Sequence, residues 1–168
     1  MLRKLCLLLG IFFLASMSAH AQGIADKVEL FGGYSYMHYD GPGSGSLNGW
    51  EVAGHYEFTD WLKGVADFDG HYGSPDGFSN ATHTFLFGPE VAFPARISPF
   101  AHVLIGGAHN SSGNVSDTSF ATAIGFGIDN HLTDFLSWRM IQGDYLVTHL
   151  YGRTQNNARI STGIVIHF

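Results

Sequence analysis

The closing stretch ARISTGIVIHF, residues 158–168, decides the fold. Every second residue, Ala158, Ile160, Thr162, Ile164, Ile166 and Phe168, belongs to a mostly apolar row. Between them, Arg159, Ser161, Gly163, Val165 and His167 are mostly polar or small. A period of two is the mark of a β-strand whose faces meet different surroundings. One face of this strand needs an apolar neighbour, and the strand closes on an aromatic residue.

The same alternation recurs about eight times along the chain, separated by turn-rich stretches. In KVELFGGYSYMHY (27–39), Val28, Leu30, Tyr34 and Tyr36 oppose Lys27, Glu29 and Ser35. In NGWEVAGHYEF (48–58), Trp50, Val52, Tyr56 and Phe58 alternate with Glu51, His55 and Glu57. WLKGVADFDGHY (61–72) sets Leu62, Phe68 and Tyr72 against Lys63, Asp67, Asp69 and His71. Further along, Phe85, Phe87 and Val91 oppose Thr82, Thr84 and Glu90, and Ala101, Val103 and Ile105 oppose His102. Phe120, Ile124, Phe126 and Ile128 face away from Ala121, Ala123, Gly125 and Asp129.

Two places break the pattern. Pro89 has no N–H to give a ladder, so a bulge or an edge is expected there. In FLSWRMIQGDYLV (135–147) Arg139 has odd parity, whereas Gln142 and Asp144 are even. All three share a face only if a bulge near Met140 shifts the register.

The connections alternate in length. DGPGSGSL, GSPDGFSN, HNSSGNVSD and HLYGRTQNN are long and polar; TD, PARIS and NHLTD are short. This predicts an up-and-down antiparallel sheet with both termini at the short-turn rim. Alternation alone does not say which row faces in, because a soluble lipocalin-like barrel and a membrane barrel differ only in that. The polar row of nearly every strand carries charge, with small residues in the gaps, as a narrow lumen requires. The apolar rows place Trp50, Tyr56, Phe58, Phe68, Tyr72, Phe93 and Phe120 toward strand ends, where membrane girdles sit. An all-β transmembrane up-and-down antiparallel barrel of eight strands is the expected fold. Hydrocarbon offers a bare strand edge no hydrogen bonds, so the sheet must close.

Composition agrees. The 168 residues suffice for one domain. Arg3 and Lys4, the apolar run 5–14, and small residues at Ala19 and Ala21 before Gln22 read as a secretory signal cleaved after residue 21. The barrel domain then spans 22–168. The single cysteine, Cys6, lies in the leader, so no disulfide is expected. Glycine is abundant (22 residues), only 13% of residues are charged, and the formal charge of −6 argues against a nucleic-acid partner.

The stretches VELFGGYSYMH, FGPEVAF, FAHVLIGGA, GFGID, QGDYL and STGIVIHF resemble the OmpA-like, opacity-type outer-membrane proteins of Gram-negative bacteria. The resemblance covers about residues 28–168. It implies localisation in the outer membrane, contact with its lipids and lipopolysaccharide, and escort by periplasmic chaperones. It also implies insertion by the barrel assembly machinery, with Phe168 as the recognised terminal signal. Two departures stand out. No peptidoglycan-binding domain is expected after the barrel, and Gly88-Pro89-Glu90 has an acid where related chains often carry a basic residue.

An interior this narrow fills with side chains. The residues expected in its ion-pair network are Glu29, Glu51, Glu57, Lys63, Asp67, Asp69, Glu90, His102, Arg139, Asp144 and Arg159. Acids outnumber Lys and Arg there, so His55, His71, His102 and His167 are expected to supply charge in acid. A mainly structural role in the envelope follows, without catalytic residues, metal or cofactor. The alternatives are a small gated pore, ligand binding by the long loops through Tyr39, Phe78, His149 and Tyr151, and a lipid A-modifying enzyme. For the last, His109 and Ser111 in a predicted long loop supply a base and a serine two residues on. The other histidines are scattered, without metal-binding spacing.

Overall fold

The computed structural model describes residues 27–40, 45–74, 80–112 and 115–168, with the side chain of residue 151 excepted. The proposed leader 1–21 and Phe78 lie outside the described residues. Eight strands follow in chain order: β1 (Val28–Asp40), β2 (Gly45–Thr59), β3 (Leu62–Gly73), β4 (Asn80–Ala92), β5 (Ile97–Ser112), β6 (Val115–Thr133), β7 (Leu136–Thr148) and β8 (Gln155–His167). Each pairs antiparallel with its sequence neighbours, and β1 pairs with β8 from Glu29↔His167 to Asp40↔Asn156, closing the barrel. No sheet edge remains.

The faces sort as the alternation predicts, and they do so inside out. Phe126 is 69% exposed and Phe120 63%, while Arg159, Glu51 and Asp69 are 0% exposed. A soluble barrel would bury the phenylalanines. Here Phe58, Trp61, Phe93, Phe135 and Phe168 are exposed near the short turns, and Tyr34, Trp50, Tyr72 and Tyr145 are exposed on the opposite half, with an apolar band between.

The step in β7 is present. Its pairing with β8 shifts between Arg139 and Gln142, Met140 and Ile141 both face outward, and Arg139, Gln142 and Asp144 all face inward. Pro89 behaves otherwise than expected. The β3 ladder runs through Gly64↔Pro89, and on the β5 side pairing lapses over Gly88 and Pro89 and resumes at Glu90↔His102 in the same register. With its ring outward, Pro89 costs the sheet local ladder bonds but no bulge.

The connections are shorter than the polar composition suggests. β5 continues to Ser112 and β6 starts at Val115, so His109 and Ser111 lie on a strand, not in a loop. Polar side chains hold these extensions together across strands: Asn110 Nδ2 donates to Asn80 Oδ1 and Thr82 Oγ1, both at 2.7 Å. Backbone pairing there survives because polar outward side chains are already clear of hydrocarbon.

Placing a cation in the apolar band should be costly, and above it harmless. Phe126→Arg is expected to lose about 2–4 kcal/mol of unfolding free energy in lipid micelles. His109→Arg, beyond the upper aromatic belt, should stay within about 0.5 kcal/mol in the same denaturant titration.

Candidate functional site: the charged lumen

All eleven residues expected in the lumen network point inward. Ten are buried, and Glu57 is half-buried near the short-turn rim. They form an upper network around Arg159 and Arg139 and a lower group around Lys63.

Arg159 centres the upper group. Its Nε donates to Asp144 Oδ2 at 2.9 Å and its Nη1 to Asp67 Oδ1 at 3.0 Å; Nη1 also pairs with Asp69. Glu51 lies 3.7 Å from Nε. One guanidinium thus meets four carboxylates from β2, β3 and β7, because odd parity on β2, β3 and β8 and the stepped parity of β7 all point to one spot. Hydroxyls and an imidazole complete the shell. Ser161 Oγ donates to Glu51 at 2.5 Å, Thr84 Oγ1 donates to Asp69, and His71 bridges Asp69 (3.1 Å) and Ser35 (2.9 Å).

Arg139 is held differently. Its Nε and Nη2 grip Asp129 in a fork, both at 2.9 Å, and the guanidinium lies between the rings of Phe31 (4.6 Å) and Phe100 (4.2 Å). Its Nη1 donates to Gln142 Oε1 at 2.7 Å, and Gln142 Nε2 donates to Glu51 (2.8 Å) and Asp144 (2.9 Å). Gln142 therefore ties the two arginines into one network. From Asp144 the network passes to His102 Nε2 at 2.6 Å. Glu90 lies between His102 (3.6 Å) and His55 (3.4 Å).

The lower group stands at the short-turn mouth. Lys63 Nζ donates to Glu29 at 2.5 Å and lies 3.1 Å from Glu57. His167 Nδ1 meets Glu29 at 3.0 Å, and its Nε2 contacts Ser137 Oγ at 2.7 Å. Beside these charges the interior holds apolar wall residues, among them Met37, Leu47, Leu86, Leu104 and Leu146.

Asp129, Gln142, Ser35 and Ser161 complete the network although the sequence reading left them out of it. Parity alone marks Asp129, Ser35 and Ser161 as inward; Gln142 needed the β7 step. Inward glycines matter too. A Cβ at Gly125 would run into the Asp144 carboxylate and the His102 ring, and one at Gly127 into the Phe100 ring.

Other candidates are not brought together. His109 and Ser111 share the outer face of β5, but His109 Nδ1 bonds Thr118 Oγ1 at 2.7 Å rather than Ser111. Among the described residues no group of three or more His, Cys, Asp or Glu is arranged to hold a metal ion.

The family model described as Enterobacterial Ail/Lom protein matches residues 2–84, just under half of the chain. Solved structures with the same fold include Neisserial surface protein A, with a TM-score of 0.69 at 12% identity over 84% of this chain and 97% of that one. Ail, the attachment invasion locus protein of Yersinia pestis, gives 0.59 at 15% identity, covering 84% and 99%. The N-terminal β-barrel domain of Pseudomonas aeruginosa OprF gives 0.53 at 15%, covering 86% and 99%. The chain has the closed eight-stranded barrel fold of these outer-membrane proteins. No curated protein matches it. In this barrel the short turns and both ends of the sheet lie at one rim, and the longer connections lie at the other.

Arg159→Ala leaves four buried carboxylates around an empty space and should cost about 3–5 kcal/mol. The readout is the temperature at which the folded band is lost in unheated-versus-heated gel electrophoresis. Gly125→Val, which removes no charged group, should lower the same temperature by wedging His102 away from Asp144.

Proposed function

We propose that this barrel serves the envelope as a structural element with a closed lumen. The observation that carries the reading is the packing around Arg159: its guanidinium and the Glu51, Asp67, Asp69 and Asp144 carboxylates are at most 4% exposed. Side chains occupy the space that an open channel would need. The network is the proposed stabiliser of the closed form, replacing an apolar core.

The outer surface supports contact with lipids and lipopolysaccharide. Above the apolar band, outward polar groups bond one another across strands: Tyr34 to Asn48 at 2.5 Å, Tyr36 to Ser46 at 2.6 Å, His109 to Thr118, and Tyr145 to Asn156 at 2.8 Å. Hydroxyls, amides and imidazoles at that height suit the sugars and phosphates of an outer leaflet. Ail of Yersinia pestis has been solved in complex with the heparin analogue sucrose octasulfate. A polysulfated ligand calls for a cationic rim, and among the described residues Arg153 is the one Lys or Arg at the extracellular end of this barrel. Adhesion to such a ligand therefore lacks its charge, and the structural reading is preferred. The reading assigns no catalytic residue. It includes export through the leader 1–21, passage with periplasmic chaperones, and insertion by the assembly machinery reading Phe168, which is 59% exposed beside β1 with its N–H on the Val28 carbonyl.

Cells lacking the chain should become more permeable to bulky detergents and dyes, with lipid A unchanged by mass spectrometry. A version with its extracellular connections trimmed to tight turns should restore the barrier. Failure of that version alone would point to ligand binding by the loops instead. Removing Phe168 should lower the amount inserted in cells while leaving refolding of purified chain into detergent intact.

A further inference from the structure

Four histidines point into the lumen, and each meets a carboxylate: His71 with Asp69, His102 with Asp144 and Glu90, His55 with Glu90, and His167 with Glu29. Around them, β1 contributes Glu29, and β2 contributes Glu51 and Glu57. β3 contributes Lys63, Asp67 and Asp69, and β4 contributes Glu90. β5 adds no charge besides His102, and β6 brings Asp129, with His131 at the periplasmic mouth. β7 brings Arg139 and Asp144, and β8 brings Arg159. Eight carboxylates thus face three permanent cations. With neutral imidazoles five negative charges are unmatched; with four imidazolium ions only one is.

A second observation locates where this matters most. His55 Nδ1 and Nε2, His102 Nδ1 and Glu90 Oε2 are buried without hydrogen-bond partners. The contacts at 3.4 and 3.6 Å that join β2, β4 and β5 through Glu90 are therefore contacts between charges, and they attract only while the imidazoles carry protons. An imidazolium beside a carboxylate contributes stability that is present in acid and lost as pH rises.

We propose that the lumen histidines make the plug proton-controlled. Protonated, they hold β2, β4 and β5 together across Glu90 and keep the barrel shut. Deprotonated, they leave an acidic interior that loosens on that side into a narrow, cation-selective path. Histidine is the side chain that gives up its charge as acid gives way to alkali, so the barrel is shut on the acid side and opens on the alkaline side. Selectivity follows from the negative lumen, which admits cations and repels anions. The inference rests on the closed-lumen reading and adds a condition under which closure fails.

The test is conductance of refolded full-length barrel in planar bilayers in potassium chloride, with the gel-shift temperature measured in parallel. At pH 5.5 the barrel should be silent. At pH 8.5 it should be open about tenfold more often or better, a shift worth about 1.4 kcal/mol, with cation selectivity and a lower gel-shift temperature. His55→Lys fixes a positive charge beside Glu90 and should stay silent at pH 8.5. His102→Gln should open already at pH 5.5, and His109→Gln, on the outer face, should keep the wild-type profile. Should His102→Gln fail to fold, the wild-type profile and His55→Lys still decide. Silence from pH 5.5 to 8.5, or an unaltered profile in His55→Lys, overturns the proton gate and leaves the closed barrel standing. Equal conductance at both pH values overturns the closed lumen itself.

Discussion

Hydrocarbon offers no hydrogen bonds, and the rest of the structure depends on that. Each backbone N–H and C=O at membrane depth must find its partner within the sheet. Pairing β1 with β8 satisfies the last two edges. Closure at eight strands then fixes the interior width, which admits side chains and little else. Polar residues, excluded from the lipid face, have only that interior to occupy. Fold and network are two consequences of one solvent.

Within the interior, charge is tolerated on strict terms. A buried guanidinium is costly unless nearly every donor is used. Arg159 meets that condition with four carboxylates, and Arg139 with one carboxylate, one amide and two aromatic faces. The two solutions differ in consequence. Arg139 is matched one for one with Asp129, whereas Arg159 is outnumbered by acids. Imidazoles meet two of these acids, His71 at Asp69 and His102 at Asp144. Glycine makes the second of these pairs possible, since any side chain at Gly125 would occupy its place.

Strand number, facing and closure were legible because period-two alternation is enforced twice, by lipid outside and by charge inside. The inward charges were legible for the same reason, and the step in β7 because Arg139 and Asp144 cannot otherwise both avoid lipid. What escaped was whatever fails to alternate in chemistry. Phe31 and Phe100 are apolar yet face inward, to sandwich Arg139. The extents of β5 and β6 escaped because a paired strand above the membrane has the composition of a loop. Pro89 misled because the missing donor was taken to mean a bulge or an edge, whereas a lapse of pairing on one side suffices. The partner of each charge was out of reach from sequence, since strands distant in the chain meet across the lumen: Arg159 and Asp67 lie 92 residues apart.

An apolar interior of the same volume is the physical alternative, and buried ion pairs are often no more stabilising than such a core. For a membrane barrel that exchange has a further consequence. Strands apolar on both faces would carry no information about which face meets lipid, and a one-residue slip would go unpunished. With Asp67 and Asp69 on β3 and Arg159 on β8, a slip of one residue carries charge into hydrocarbon, at about 2–4 kcal/mol for an arginine near the midplane. β7 shows the constraint at work. Had the strand continued without its step, Gln142 and Asp144 would face lipid, and Arg159 and Arg139 would lose the amide that joins them. The chain instead spends one extra outward residue, setting Met140 and Ile141 side by side against lipid. A hydrophobic core would have no use for such a step; a charged lumen cannot be assembled in this strand without it.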